Sequence, residues 1–323
     1  MSAYGLPVID LGLLRDDAES GRQEVALALR EVCAATGFFY VKNHGIDPLL
    51  QSALFAASRR FFAQPLEVKR EVEMSGTDME RGYEGIGAQT LDAAIGPDRK
   101  ESIFVGVDLP LDHPLVLAGT PHHGPNRWPS LPGWREPVEA WFAAMERLAR
   151  LLMNGIALSL DLPWGYFDFC LENHMSSLRL LHYPPHPDAD AAREAGCGAH
   201  TDWGAITVLA QDADGLEIRH AAGHWVAAPA LPETFIVNLG DMMARWTNDL
   251  YASTPHRVLN RSARDRYSAA FFFDPAFHTR VECLPTCRSE ARPARYSPIT
   301  SGEHLAAMYR KTYVQPRVTE ALA

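Results

Sequence analysis

Two histidines and one aspartate have the types and the spacing of a metal site. His200 and Asp202 lie two residues apart within residues 198–204, and His256 follows further along the chain. Side chains alternate across a β-strand, so the first imidazole and the carboxylate could turn towards the same ion. A second imidazole would complete a facial set of two neutral nitrogens and one carboxylate. Such a set holds a divalent metal with open coordination positions and is typical of non-haem Fe(II) oxygenases.

A second pair of residues could bind an anion close to this metal set. Arg266 and Ser268 are also two residues apart, so on a strand they share one face with Ala270 and Phe272. An inward guanidinium requires an anionic partner and binds a carboxylate through parallel charge-assisted hydrogen bonds. The pair therefore predicts a seat for the terminal carboxylate of a keto acid. The alternative is an arginine paired with an internal Asp or Glu, but the neighbouring metal set favours the ligand.

Composition narrows the class of protein. The chain has 323 residues, of which 47% are hydrophobic and 22% charged, and its net charge is -10. This balance is typical of a globular protein, and the spread of acidic residues argues against a nucleic-acid partner. The N-terminus has no basic region followed by an apolar run, and no apolar segment has the length of a membrane span. We expect a cytoplasmic protein without a membrane partner, either a monomer or a weak homodimer.

The cysteines do not indicate a metal site or a disulfide framework. They are scattered, odd in number and without paired zinc-type spacing. We expect reduced thiols that serve mainly in packing: Cys33, Cys170, Cys197, Cys283 and Cys287.

Short strands in the second half of the chain must position the candidate residues. Alternating or β-branched runs separated by turns predict strands at residues 178–183, 205–210, 216–219, 234–239 and 267–273, with hairpin turns at 212–215 and 222–223. Such spacing is typical of a β-sandwich or barrel. The longest amphipathic pattern, residues 137–160, predicts a helix that backs the catalytic sheet, and residues 302–313 predict a closing helix.

The first part of the chain mixes helices and strands. The patterns predict strands at residues 6–11 and 101–107, and a strand within 38–46 that ends in a turn at 43–45. They also predict helices at 23–36 and 47–72 with an interruption at Pro65, a flexible loop at 81–87 and an irregular loop at 113–132. We divide the chain into an N-terminal region, residues 1–120, and a catalytic region, residues 121–323, within one compact unit.

Several motifs occur together in a fixed order. They comprise residues 6–11, 36–41, 43–45, 178–185, 200–202, 238–241, 256–258 and 266–268. With these motifs the chain resembles the isopenicillin N synthase-like family of iron(II)- and 2-oxoglutarate-dependent dioxygenases. The resemblance implies a mixed α+β fold whose core is a double-stranded β-helix, a cupin-like jelly roll flanked by helices.

The resemblance also implies roles for individual residues. Fe(II) would be held by His200, Asp202 and His256, and the distal carboxylate of the co-substrate 2-oxoglutarate by Arg266 and Ser268. Tyr183 would help to hold the other end of the co-substrate. Many family members have an Asn two residues before that Tyr, whereas this chain has Leu181.

The implied reaction uses O2 and converts 2-oxoglutarate to succinate and CO2 while a small molecule is hydroxylated, desaturated or cyclised. Candidate substrate contacts are Tyr83, Phe104, Trp203 and Phe272. The alternatives within the fold are an Fe(II) oxidase of the isopenicillin N synthase or aminocyclopropane-carboxylate oxidase type, which needs no 2-oxoglutarate, and an ethylene-forming enzyme. Outside it are a binding protein without turnover and a zinc hydrolase; the second would leave Arg266 and Ser268 unexplained.

Overall fold

Two β-sheets carry the candidate site, and helices cover the outer face of the larger sheet. The computed structural model describes residues 5–16, 18–74, 81–186 and 195–312. The helices are α1 (Gly12–Arg15), α2 (Glu19–Ala35), α3 (Pro48–Phe62), α4 (Leu66–Arg70), α5 (Pro114–Leu117), α6 (Arg135–Ser159), α7 (Asp241–Trp246) and α8 (Ser301–Thr312), with 3-10 turns at Asp168–Cys170 and Pro285–Cys287. The strands are β1 (Val8–Asp10), β2 (Phe38–Lys42), β3 (Gly82–Glu84), β4 (Glu101–Gly106), β5 (Ser177–Tyr183), β6 (Cys197–His200), β7 (Ile206–Gln211), β8 (Leu216–Arg219), β9 (Trp225–Ala227), β10 (Phe235–Leu239), β11 (His256–Val258), β12 (Arg266–Phe273), β13 (Arg280–Val281) and β14 (Ile299–Thr300).

The larger sheet has eight strands in the order β1-β2-β10-β7-β12-β5-β4-β3, and the smaller has the order β6-β11-β8-β9. Neighbouring strands are antiparallel except for the parallel pair of β1 and β2. Two antiparallel sheets with such crossovers form a jelly roll. The predicted double-stranded β-helix core in a mixed α+β fold is therefore confirmed.

An apolar cluster lies between the two sheets. It includes Tyr183 and Ala270 from the larger sheet, and Leu216, Ile218 and Val258 from the smaller sheet. Removal of these side chains from water stabilises the face-to-face packing by about 1.5–3 kcal/mol for each fully buried aliphatic residue. The polar candidate residues project into this same interior.

Strand β12 alternates as predicted. Arg266, Ser268 and Ala270 face the smaller sheet and line an internal cavity, together with Phe272. The opposite face belongs to the main core and carries Ala269, Phe271 and Phe273. This period of two separates the polar site from the helical layer.

Helix α6 packs against the outer face of the larger sheet, as its apolar stripe predicts. It contacts β7 and β12 as well as α2 and α3. Phe142 lies edge-on to Phe271 of β12, with ring centroids 5.2 Å apart, and Trp141 lies edge-on to Phe235 of β10 at 5.6 Å. The helix therefore holds in place the strands that carry the candidate anion seat.

One predicted hairpin is wrong. Residues 212–215 connect β7 to β8, and these strands lie in different sheets, so the segment crosses between sheets. At Gly215 the backbone has a φ of 139°, and a Cβ there would lie 2.9 Å from the carbonyl oxygen of Leu259 and 3.1 Å from the side chain of Arg266. The crossing chain thus covers Arg266 closely, which only glycine allows. The turn at residues 222–223 does join a paired hairpin, β8 and β9.

Three other elements differ from the predictions in detail. The predicted loop at residues 81–87 contains β3, which pairs with β4 at the sheet edge. The loop at residues 113–132 contains the short helix α5. The predicted helix at 47–72 is divided into α3 and α4 on either side of the interruption at Pro65, because proline cannot continue the backbone hydrogen bonding.

Across the ranges that the structure describes, none of the helices combines the length and the apolar composition that spanning a bilayer requires.

Candidate active site

His200 and His256 face each other on neighbouring strands. His200 is the last residue of β6, His256 is the first of β11, and the two are direct partners in the antiparallel register. The Nδ1 atom of His200 lies 2.8 Å from the carbonyl oxygen of Gly198, and that of His256 lies 3.2 Å from the carbonyl of Thr254. A carbonyl only accepts, so each Nδ1 carries the proton and donates. Both Nε2 atoms are thereby left as lone-pair donors on the same side.

Asp202 completes the cluster from outside the strand. The sequence interpretation put His200 and Asp202 on one strand, but β6 ends at His200 and Asp202 lies in the irregular segment that follows. Its Oδ1 lies 3.7 Å from Nε2 of His200 and 3.6 Å from Nε2 of His256. Its Oδ2 accepts hydrogen bonds from Nδ2 of Asn238 at 2.7 Å and from Oγ1 of Thr207. One carboxylate oxygen is thus held by the protein, and the other faces the histidines.

The protonation states of this cluster suit a divalent cation. Burial lowers the pKa of His256 to about 4, assisted by the nearby His200, and burial also lowers the pKa of His200. Burial opposes ionisation of Asp202, but the two histidines and the hydrogen bonds from Asn238 and Thr207 outweigh it and lower the pKa. Two neutral imidazoles and one carboxylate are the forms that bind metal. The ligand atoms lie within 4.8 Å of one another, so the residues fit such an ion.

Arg266 is buried without a carboxylate partner in the part of the chain that the structure describes. Its side chain donates to the amide oxygen of Gln211 at 2.8 Å, to the carbonyl of Ala213 at 3.2 Å and to Oγ of Ser268 at 3.4 Å. The guanidinium carbon lies 4.8 Å from the centre of the Tyr183 ring. These neutral partners satisfy part of its hydrogen-bonding capacity but leave its charge uncompensated, so the site favours an anion.

A single cavity joins the histidine–aspartate cluster to the arginine. Its walls include all three residues of the cluster and also Arg266, Ser268, Tyr183 and Leu181. Burial raises the pKa of the Tyr183 hydroxyl, which therefore stays protonated and can donate. Leu181 contributes an apolar wall at the position where many members of the resembled family have an Asn. The cavity offers positive charge at one end and a metal-binding set at the other, which suits a small dicarboxylate.

A second cavity lies against the same cluster. It shares His200, Asp202, Arg179 and Phe272 with the first cavity, and its further walls include Gln89, Leu91, Phe104, Trp203, Leu305 and Tyr309. The rings of Trp203 and Tyr309 are edge-on, with centroids 5.0 Å apart. Three of the four predicted substrate contacts, Phe104, Trp203 and Phe272, line this cavity.

The fourth predicted contact, Tyr83, lies elsewhere. It is buried in the main core, where its hydroxyl donates to Oε2 of Glu101 at 2.6 Å and its ring packs edge-on against Phe61. Alternation along β3 sends the neighbouring Glu84 to the opposite face, where it contacts Arg179. Tyr83 therefore does not contact the cavity, and on this strand a difference of one residue reverses the face.

Sequence reasoning missed Arg179, which lines both cavities. Its guanidinium donates to Glu84 at 2.7 Å, to Ser102 at 3.0 Å and to Oε1 of Gln89 at 3.1 Å. It also lies over the ring of Phe104, 4.4 Å from the centroid. The sequence does contain a signal that could have identified Arg179, because on a strand its side chain shares one face with Leu181 and Tyr183.

Comparison with known proteins places the geometry in context. A family model for the N-terminal part of proteins described as "non-haem dioxygenase in morphine synthesis" matches residues 6–131. A model of the 2OG-Fe(II) oxygenase superfamily matches residues 174–275, the segment that contains the histidine–aspartate cluster and the arginine.

Individual relatives align over nearly the whole chain. The 2-oxoglutarate-Fe(II) type oxidoreductase hxnY of Emericella nidulans is 36% identical over 97% of this chain and 92% of its own. The 2-oxoglutarate-dependent dioxygenase citB of Monascus ruber is 38% identical over 97% of both chains. A full-length Neurospora crassa protein, solved in complex with alpha-KG and thymine, has a TM-score of 0.84 and 30% identity over 95% of this chain and 96% of its own.

Proposed function

Because the chain belongs to the 2-oxoglutarate–Fe(II) oxygenase superfamily, we propose that its reaction takes place at the cluster of His200, Asp202 and His256. The protein is an Fe(II)- and 2-oxoglutarate-dependent dioxygenase, and these three residues would hold the iron. The convergence of two neutral Nε2 atoms and one carboxylate oxygen supports this assignment, because it is the ligand set that ferrous oxygenase sites use.

Arg266 and Ser268 would bind the distal carboxylate of 2-oxoglutarate. The observation that carries this proposal is the buried guanidinium, unpaired with any carboxylate of the described residues, in the same cavity as the metal set. A carboxylate there would gain charge-assisted hydrogen bonds from the guanidinium and a donor from Ser268. The neutral hydroxyl of Tyr183 supplies a further donor to the co-substrate. Leu181 offers no polar contact, so recognition of 2-oxoglutarate at this end of the cavity depends on Arg266, Ser268 and Tyr183.

The bound iron would supply the activation of O2, with 2-oxoglutarate consumed to succinate and CO2 and a substrate C–H bond oxidised. The chain's own residues hold and shield the reactants. Asn238 and Thr207 hold Asp202 so that its free oxygen faces the histidines. Arg266 orients the co-substrate along the cavity, and the apolar Leu181 and Phe272 limit access of water to the reacting atoms.

The substrate we propose is a small molecule that carries a planar ring. Aromatic side chains form much of the second cavity, from Phe104, Trp203, Phe272 and Tyr309, and aromatic walls favour stacked or edge-on contacts with a flat ring. Thymine, bound in the structure of the Neurospora relative, is such a ring. The C–H bond to be oxidised would point at the boundary between the cavities, where His200 and Asp202 lie.

Gln89 would recognise a hydrogen-bond acceptor on that ring. A guanidinium can only donate, so the oxygen of the Gln89 amide must face Arg179, and the amide NH2 is directed to its other side. Within the described residues this NH2 has no hydrogen-bond partner, and Gln89 lines the cavity. A carbonyl or hydroxyl oxygen of the substrate would satisfy it.

The deciding experiment is an anaerobic titration of the Fe(II)-loaded protein with 2-oxoglutarate. We expect a saturable visible charge-transfer band from the keto acid bound to iron, with weaker co-substrate affinity in Arg266→Ala. A band that keeps its wild-type affinity in that variant would reject Arg266 as the anion seat. A screen of ring-bearing compounds for stimulated succinate release then tests the substrate class, and stimulation confined to acyclic compounds would refute it.

A further inference from the structure

A buried ion pair outside both cavities contacts the strand that ends at His200. The side chains of Asp98 and Lys100 are 1% and 2% exposed, and Nζ of Lys100 donates to Oδ2 of Asp98. The other carboxylate oxygen, Oδ1, accepts the backbone N–H of Gly198 at 2.9 Å. We propose that Asp98 is a positioning residue for the metal site that acts on His200 through Gly198, an inference that rests on the proposed iron ligands.

The two polar groups of Gly198 connect the ion pair to the imidazole. Its N–H donates to Asp98, and its carbonyl oxygen accepts the Nδ1 proton of His200 at 2.8 Å. The second bond fixes the tautomer and the ring orientation of His200, so that Nε2 faces the cluster. The hydrogen bond from the N–H of Gly198 to Asp98 fixes the position of Gly198, on which the orientation of the imidazole depends. Displacement of Gly198 would therefore turn the imidazole away from the metal position.

The strand needs this support because its own pairing is incomplete. Strand β6 lies at the edge of the smaller sheet, with β11 as its neighbour on one side. The register with β11 shifts between His256 and Val258, which face His200 and Cys197 respectively, so Gly198 lies in the irregular part of the ladder. An edge strand with a bulge lacks the regular hydrogen bonds that hold a central strand. Asp98 supplies the acceptor that the sheet does not.

The loop that connects β3 to β4, residues 85–100, lies close against strand β6. A Cβ at Gly198 would lie 2.8 Å from both the backbone nitrogen and the Cβ of Asp92, and 3.3 Å from Oδ1 of Asp98. The N–H of Arg99 also donates to the carbonyl of Ala195 at 3.1 Å. The same loop carries Gln89, whose carbonyl accepts the N–H of Asp98 at 2.9 Å. One loop thus holds the metal-site strand and forms a wall of the proposed substrate cavity.

The test compares two double variants that both lack the buried ion pair. Asp98→Asn with Lys100→Met keeps an acceptor oxygen for Gly198, whereas Asp98→Leu with Lys100→Met removes it. The probe is Co(II) added to the metal-free protein, followed by competition with a chelator and by visible ligand-field absorption. We expect the Leu variant to raise the Kd for Co(II) by about tenfold or more and to change the absorption spectrum. The Asn variant should stay close to wild type in both.

Lys69→Met is the matched control for a general loss of stability. Lys69 also forms a buried ion pair, 2.6 Å from Oε2 of Glu101, but this pair does not contact β6. The Lys69→Met variant should have a lower melting temperature than wild type but an unchanged Kd for Co(II). Asp98→Ala with Lys100→Met is a second variant without an acceptor, and its smaller side chain cannot overpack the site.

Three outcomes would overturn the positioning role. They are equal Co(II) affinity in the Asn and Leu variants, an equal loss of affinity in the Lys69→Met control, and unfolding of both acceptor-free variants while the Asn variant folds. The proposed ligand set is checked separately with His200→Ala in the otherwise native chain. Co(II) binding unchanged by His200→Ala would reject the metal site itself, whereas loss of binding there with equal affinity in the double variants would reject only the role of Asp98.

Discussion

His200 and His256 are direct cross-strand partners, with imidazole centroids 4.3 Å apart, and each Nδ1 donates to a backbone carbonyl two residues earlier in the chain. The backbone therefore determines the tautomer of both rings before any metal binds. The proposed site thus needs little rearrangement for metal binding.

Replacement of His200 by Ala should abolish Fe(II) binding and turnover while the fold is retained. The side chain is partly exposed, and the core of the barrel is built from other residues. The metal content, measured by atomic absorption spectroscopy, checks the loss of Fe(II) binding. The thermal midpoint of the metal-free protein checks that the fold is retained. Turnover retained in this variant would remove His200 from the ligand set.

Replacement of Arg266 by Ala should raise the half-saturating concentration of 2-oxoglutarate by about two orders of magnitude. The lost charge-assisted pair is worth about 3 kcal/mol, which corresponds to this factor. Arg266→Lys is the matched control, because it keeps the charge but loses the two parallel hydrogen bonds, and it should give a smaller increase. Steady-state succinate production at varied 2-oxoglutarate measures both. Co-substrate dependence that does not change in Arg266→Ala would favour the oxidase alternative.

Replacement of Gln89 by Leu should weaken binding of a ring substrate that presents an acceptor oxygen, by about tenfold in kcat/KM. The loss corresponds to one neutral hydrogen bond of about 1–1.5 kcal/mol. An analogue without the acceptor should bind the wild type and the variant alike, and slow succinate release without substrate should be unaffected. If both compounds lose activity in proportion, Gln89 acts through the shape of the cavity instead.

Replacement of Trp141 by Ala should lower the free energy of unfolding by about 3–5 kcal/mol, since a fully buried aromatic ring is removed from the layer between α6 and the sheet. Urea denaturation followed by circular dichroism measures the change. Phe169→Ala is the control, because Phe169 is 61% exposed and should contribute well under about 1 kcal/mol. Equal losses in the two variants would contradict the assigned packing.

His182 should make stability depend on pH. Burial opposes its protonation, but hydrogen bonds with Glu101 at 2.7 Å and Asp265 at 2.8 Å outweigh this and raise its pKa above the ordinary 6.5. The protonated ring therefore stabilises the folded chain fully below about pH 6.5, and this contribution is lost as the pH rises through the raised pKa. The difference in unfolding free energy between wild type and His182→Gln should shrink over that interval.

Urea titrations at pH values from about 5.5 to 9 measure this difference. The exposed His224, replaced by Gln, is the control for general effects of removing an imidazole. A difference between wild type and His182→Gln that is constant over the whole range would show that His182 contributes by packing alone.

Spacing along single strands accounts for what could be predicted. The two-residue interval between Arg266 and Ser268 is visible in the sequence, and side-chain alternation on β12 converts it into a shared face. The interval between His200 and Asp202 also marked a true pair, although Asp202 lies beyond the end of β6 and strand alternation does not bring the two together. The alternation predicted for β12 is confirmed by its two faces. Long apolar patterns likewise locate α6 and α8 to within a few residues.

Cross-strand relationships account for what was missed. Arg179 meets Gln89 and Glu84 because β4 lies between β3 and β5, an order that no local pattern reveals. The support of Asp202 by Thr207 and Asn238 likewise depends on the pairing of β7 with β10, in which these two residues are direct partners. Tyr83 was predicted to contact the substrate because the sequence does not show which face of the short strand β3 turns inward when it pairs with β4. Residues 212–215 have the composition of a hairpin turn, but the strands on either side of them belong to different sheets.

Arg179 forms a wall common to both cavities and is tied to Gln89 and Glu84. We expect a side chain in this position to link binding of the proposed substrate to binding of 2-oxoglutarate. By thermodynamic reciprocity, any factor by which a substrate tightens the co-substrate is the factor by which the co-substrate tightens that substrate. We therefore expect that a change of Gln89 made to accept another ring will also change the affinity for 2-oxoglutarate, so that substrate range and co-substrate affinity must be selected together.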